Sequence, residues 1–141
     1  MSYSVAVTSE EDEATRLALL EPLRAYNQST AGPSNYLPLV VALHDEQGSV
    51  KGGVWGYTAY GWLYVQLLFV PERDRGAGWG KRLMALAESE ALVRGCHDAW
   101  LDTHGFQAKG FYEKLGYVQF GQLPDYPPPF YRHFFRKRLI A

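Results

Sequence analysis

The chain has one cysteine, Cys96, so no disulfide can close within it. The start MSYSVAVTSEEDEA lacks the basic and apolar regions of a secretory signal, and the two absences together point to the cytoplasm. Long hydrophobic runs are missing too. The stretch around Leu67 to Val70 is interrupted by Gln66 and falls far short of the ~20 residues a membrane span needs, so no membrane association is expected. Neither sign of charge dominates: 14 Lys and Arg against 15 Asp and Glu leave a formal charge of -1. That balance gives no broad attraction for nucleic acid or anionic lipid, and any contact with a polyanion must be local. His44, His97 and His133 are scattered without metal-ligand spacing, and Cys96 beside His97 makes no zinc pattern, so no metal is expected. No G-x-S-x-G occurs, which removes the commonest serine-hydrolase signal.

What is present fits one globular domain over residues 1–141, since 141 residues that are 47% hydrophobic can bury a core unaided. Residues 3–8 (YSVAVT) read as a short strand. Ser9 to Asp12 supply capping groups for a helix that runs to about Tyr26, with Leu17, Leu19, Leu20 and Leu23 on one side, before Gly32 and Pro33 break the pattern. Residues 36–45, 50–60 and 62–70 read as an antiparallel meander around turns at Gly48 and Gly61. After Pro71 a glycine-rich loop leads into a helix over 81–95, with Leu83, Leu86, Ala87 and Ala91 on its apolar face. A strand over 97–103, a short helix over 107–116, a strand over 117–123 and an alternating tail from Phe130 complete the chain. Strand, helix, strand in the middle with antiparallel flanks predicts an α+β class with a mixed sheet.

The strongest local feature is Arg73-Asp74-Arg75-Gly76-Ala77-Gly78-Trp79-Gly80, after a strand and directly before a helix. Glycine at every second position lets backbone amides turn inward, and the helix N-terminus adds partial positive charge, which together suit a pyrophosphate. Arg73, Arg75 and Lys81 can add charge nearby. Lys81 stands where a Rossmann loop has its last glycine, and Gly80-Lys81 is followed by Arg82 rather than a hydroxyl, so neither a dinucleotide fold nor a magnesium-dependent triphosphatase is expected.

About thirty residues on lies Ala108-Lys109-Gly110-Phe111-Tyr112-Glu113-Lys114-Leu115-Gly116-Tyr117. Together the two segments resemble the signatures of the GNAT superfamily of N-acetyltransferases. Arg73, Gly76 and Gly78 match the first signature (Gln or Arg, two residues, Gly, one residue, Gly or Ala), and Phe111 to Tyr117 match the second. The resemblance covers nearly the whole chain. It implies a mixed, mostly antiparallel sheet splayed between the strand ending at Val70 and the strand ending near Thr103, flanked by helices, with acetyl-CoA as co-substrate in the gap. It also implies a bulge in the first of these strands, leaving backbone near Leu68, Phe69 and Val70 for pantetheine, while Arg73, Arg75, Gly76, Ala77, Gly78, Trp79, Gly80 and Lys81 hold the pyrophosphate and Phe111 lines the groove.

In chemical terms the resemblance implies an amine attacking the thioester in a ternary complex, with Tyr112 as acid for the departing thiolate. A backbone N–H near Leu68 would stabilise the oxyanion. Many members carry an asparagine where Gly105 stands here, and Gln107 is the nearby residue that could substitute. An alkyl ammonium titrates near ~10 and needs a base at neutral pH. Gln66 cannot serve where relatives carry an acid, which leaves Asp102, His104 or a water relay. In the architecture the resemblance implies, Trp55, Tyr57, Tyr60, Trp62 and Tyr64, with Tyr126, Phe130 and Tyr131, would border the acceptor site and could hold a cationic amine, where they do not simply pack the sheet. The acceptor's identity is open, a homodimer through C-terminal edge strands is possible, and a non-catalytic acyl-CoA-binding or sensor domain is the alternative reading.

Overall fold

The computed structural model describes residues 1–107 and 109–140. Met1–Ser34 and Asn35–Ala141 form two compact units. The first is built on helix α1 (Glu13–Ala31), capped by Asp12, whose carboxylate accepts the Ala14 and Thr15 N–H groups at 3.3 Å each. The bond from the Thr15 hydroxyl, ahead of those backbone bonds, holds the Asp12 carboxyl below its ordinary range. The helix runs past Tyr26 to Gly32, which at φ 83 gives its N–H to the Gln28 carbonyl. The strand expected over residues 3–8 is not formed. Alternation makes a segment able to join a sheet, but a strand exists only where a neighbour completes its ladder.

The second unit is a six-stranded open sheet in the order β1-β2-β3-β4-β6-β5. The strands are β1 (Leu37–His44), β2 (Val50–Ala59), β3 (Trp62–Phe69), β4 (Asp98–His104), β5 (Val118–Leu123) and β6 (Arg132–Arg138). Among the described residues only β3 and β4 pair in parallel, joined by a 3-10 turn (Glu72–Asp74) and helix α2 (Trp79–Val93). The α+β class and the meander are as the patterning implied. Helix α2 begins two residues before the expected Lys81, and the short helix α3 spans Lys109–Lys114. Ala108, the first residue of the second signature, lies outside the described residues.

Alternation buries Leu39, Val54, Leu63, Val65, Ala99, Leu101 and Phe135 on one face of the sheet, against Leu83, Met84, Ala87 and Ala91 of α2. Each fully buried large side chain contributes about 1.5–3 kcal/mol, enough to fix which face α2 covers. The other face of the sheet carries Trp100, Asp102 and His104 of β4, each only partly buried.

Candidate active site

Pairing between β3 and β4 starts at Trp62 with Asp98 and stops at Val65 with Leu101. Beyond that point Gln66–Phe69 and Asp102–His104 continue as strands without pairing to each other, so the sheet opens. The cause is in β3. Opposite Trp55 and Gly56 of β2 stand Leu67 and Val65, so Gln66 is an extra residue. The inward-facing series accordingly steps from Leu63 and Val65 to Leu68 and Val70, a stride of three in place of two. Gly56 makes room for this: a Cβ there would stand 2.0 Å from the Tyr64 carbonyl oxygen. The bulge that the resemblance implied is thus present, with Gln66 in it.

The glycine-rich loop closes onto the end of β3. Arg75 Nε donates to the Val70 carbonyl at 2.9 Å, and its guanidinium lies 5.7 Å from the Phe69 ring. Arg75 and the Val70 carbonyl therefore hold the loop to the strand. Gly76 (φ 83) and Gly78 (φ 87) occupy left-handed backbone that a side chain would strain. Gly78 caps α2 without a side-chain hydrogen bond, so the first-turn amides of Trp79, Gly80 and Lys81 lack a side-chain cap. Exposed Ala77 lies between the two left-handed glycines; Arg73 and Lys81 reach solvent, and Arg82 stacks on the Trp79 ring at 5.4 Å. This combination of left-handed glycines, a helix N-terminus without a side-chain cap and exposed cations fits a pyrophosphate.

The second signature meets the first through Phe111, whose ring would lie 3.0 Å from a Cβ at Gly80. Next to Phe111, Tyr112 packs against Tyr117 and Phe135 at ring separations of 6.1 and 6.2 Å. Burial, aided by the negative charge of Asp102, pushes its phenol up to about 12, so the hydroxyl stays protonated and able to donate throughout the neutral range.

On β4 the two candidate bases have different partners. One oxygen of Asp102 accepts both Nε and Nη2 of Arg132, and the other accepts the Tyr64 hydroxyl at 3.3 Å. Burial and the Asp102 charge raise the Tyr64 phenol above its ordinary value, and the Asp102 hydrogen bond raises the Arg132 guanidinium. His104 Nδ1 lies 2.8 Å from the Tyr126 carbonyl. Gln107 spends its Oε1 on the strand end, accepting the Thr103 hydroxyl at 3.0 Å and the His104 N–H at 2.9 Å. At Gly105 a Cβ would come within 3.1 Å of the Tyr131 carbonyl oxygen, so any side chain there would press on the backbone of the β5–β6 connection.

On the face away from α2, Tyr57, Tyr64 and Trp100 line a small cavity with Ala59, Tyr60 and Trp62. Tyr64 stacks on Trp100 at 4.3 Å and meets Tyr57 edge-on at 5.4 Å. Arg132 went unnoticed in sequence because the order β4-β6-β5, which sets it opposite His104, has no local signal.

The profile of the family described as "Acetyltransferase (GNAT) domain" matches residues 35–119. The chain belongs to the GNAT acetyltransferases. Acetyltransferase Atu2258 of Agrobacterium fabrum is 45% identical over 112 residues, 79% of this chain and 82% of that protein. The blasticidin-S acetyltransferase of Streptomyces morookaense is 43% identical over 95 residues, 67% of this chain and 70% of that one. Among solved structures, an acetyltransferase crystal structure from Bacillus cereus superposes with a TM-score of 0.82 at 29% identity, covering 94% of this chain and 97% of its own. Among the described residues no cluster of metal-ligating side chains occurs, and no helix is long and apolar enough to cross a membrane.

Proposed function

We propose that this chain is an acetyl-CoA-dependent N-acetyltransferase, passing the acetyl group to a primary amine by direct attack in a ternary complex. The observation that carries the reading is the parting of β3 from β4 after Val65 and Leu101, with the amide-rich start of α2 at the end of the same loop. Acetyl-CoA supplies an acetyl group activated as a thioester. In the reaction a carbon–nitrogen bond forms, the carbon–sulfur bond breaks with its electron pair leaving on sulfur, the nitrogen loses a proton and the sulfur gains one.

The chain's part is to bind, orient and manage protons. Gly76, Ala77, Gly78 and the first-turn amides of α2 hold the pyrophosphate, with Arg73 and Lys81 as screening cations. Tyr112, protonated because burial disfavours its phenolate, donates to the leaving sulfur and stabilises the charge that develops there. The aromatic rings of Tyr57, Tyr64 and Trp100 border the acceptor side, where they suit a cationic or planar amine. The name of the 43% identical relative supports a small-molecule acceptor and makes blasticidin S the first one to assay.

The test is thermal unfolding with acetyl-CoA, coenzyme A and ATP, followed by thiol release with blasticidin S and a panel of primary amines. At a hundred times Kd the co-substrate adds about 2.7 kcal/mol, a rise of roughly 5–10 °C for a chain of this size, and ATP gives none. Tyr112→Phe is expected to keep that rise and lose about 100-fold in kcat. No rise with acetyl-CoA overturns the reading. A rise without thiol release from any amine replaces it with a non-catalytic acyl-CoA-binding domain.

A further inference from the structure

We infer that His104 is the base that takes the acceptor's proton, and that the connection between β5 and β6 is the element that makes it one. This rests on the N-acetyltransferase reading and specifies the group which that reading leaves open.

Asp102 and His104 stand two residues apart on β4, hence on the same face of the sheet, away from α2 and in the half where β4 has parted from β3. Asp102 is already committed. Its oxygens accept three hydrogen bonds, two from the Arg132 guanidinium and one from Tyr64, and a proton arriving on it would displace charge-assisted bonds. His104 has the opposite arrangement. The Tyr126 carbonyl can only accept, so Nδ1 carries the hydrogen and the neutral ring keeps its lone pair on Nε2.

The ring is also fixed in orientation. Phe106 stacks on it at 5.3 Å with planes 5° apart, and Phe130 holds Phe106 edge-on at 5.2 Å. Gln107 pins the His104 backbone N–H. Tyr126 and Phe130 both belong to the β5–β6 connection, so the aromatic and proline-rich segment after β5 sets the tautomer and plane of a side chain on β4.

The step balances simply. An acceptor R–NH3+ gives one proton to Nε2, the electrons of that N–H bond stay on nitrogen as the attacking lone pair, and His104 becomes an imidazolium whose Nδ1–H still donates to Tyr126. No partner has to move, and the proton then passes to solvent. Asp102 on its own strand and Arg132, opposite His104 on β6, are paired with each other. Tyr126 is the titratable neighbour from the connection, with its ring 4.7 Å from the Arg132 guanidinium.

Two measurements on the full chain test this. In protein labelled with 15N-histidine at about pH 9, the resonance lost in His104→Gln should report a protonated Nδ1 and a bare Nε2. The tautomer that free imidazole side chains prefer, Nε2–H, overturns the inference whether or not any acceptor is known. The second is kcat/KM by thiol release with blasticidin S and simple primary amines from about pH 6 to 10. His104→Gln is expected to lose about 100-fold near neutrality, with the deficit closing as the amine's own ~10 is approached, while acetyl-CoA still raises the melting temperature. Asp102→Asn should keep the wild-type shape of that profile. A His104→Gln profile that matches wild type in height and shape overturns the inference. Failure of the underlying reading shows separately, as wild-type protein that acetyl-CoA does not stabilise.

Discussion

The β3–β4 pair has a closed half and an open half, and each holds a histidine and an aspartate: His97, just before β4, with Asp98 in the first, and Asp102 with His104 in the second. In the closed half Asp98 is 2% exposed, takes a hydrogen bond from His97 Nδ1, and has Arg136 and Arg138 at 3.6 and 3.8 Å. The backbone there is locked: the His97 N–H donates to Gly61 at 2.9 Å, and the His97 carbonyl accepts Leu139 at 2.8 Å. In the open half Asp102 accepts from Arg132 and Tyr64, while His104 Nδ1 lies 2.8 Å from the neutral Tyr126 carbonyl. The aspartate is held by arginine in both halves; the histidine is what differs, turned onto that aspartate where the strands pair and onto a neutral carbonyl where they part. What separates the roles is the ladder, not the side chains.

The strongest way to break that comparison is to remove the opening itself. Gly56 faces the bulge, and a Cβ there would meet the Tyr64 carbonyl oxygen at 2.0 Å and the Val65 Cα at 3.3 Å. Both contacts are backbone, so no rotamer change relieves them. Gly56→Val should cost about 3 kcal/mol or more in a urea melt, and the protein that remains folded should no longer be stabilised by acetyl-CoA. A variant with wild-type midpoint and wild-type stabilisation would mean that the bulge does not part the strands.

A smaller effect is expected in the closed half. The His97 hydrogen bond chiefly holds the Asp98 carboxyl below its ordinary range, with Arg138 and Arg136 adding to it and burial opposing. A folded value below the unfolded ~3.9 means that the stabilisation is fully present above that pH and is lost as pH falls through the folded value. Asp98→Asn keeps an acceptor for His97 but loses the charge facing two arginines, so it should destabilise by about 1–2 kcal/mol at pH 7. The gap to wild type should close in acid, and kcat per folded molecule should stay unchanged. A gap that widens as pH falls would contradict the sign.

Much of this was legible in the sequence, and the boundary follows the range of the interactions. The glycine loop, the apolar stripe of α2 and the aromatic helix start at Phe111 are local, so spacing alone places them. The bulge is half legible: the family resemblance implies one in WLYVQLLFV, yet only pairing with β2 fixes it at Gln66. The role of Arg132 was invisible, because it depends on β6 lying between β4 and β5. The His104 tautomer depends on a backbone carbonyl 22 residues away in sequence, which no side-chain motif can announce. The expected strand over 3–8 failed for the converse reason, a local pattern with no partner to complete it.

Arg75 and Arg73 give the finest comparison, since both read as cations for a phosphate. Arg75 is tied to the Val70 carbonyl and lies over Phe69, whereas the Arg73 side chain is 89% exposed and only 3.8 Å from Asp74. Their losses should therefore differ in kind. Arg75→Ala removes a hydrogen bond worth about 1 kcal/mol that sets the loop's shape, so acetyl-CoA affinity should fall about 5-fold at low and at high salt alike. Arg73→Ala removes a screened surface charge, and its smaller deficit at low ionic strength should vanish near 1 M salt, where the Debye length is about 3 Å. Isothermal titration of both variants at two salt concentrations separates shape from charge. If the Arg75→Ala deficit also disappears with salt, Arg75 acts on the pyrophosphate as a free cation, and its bond to Val70 does not shape the loop that binds it.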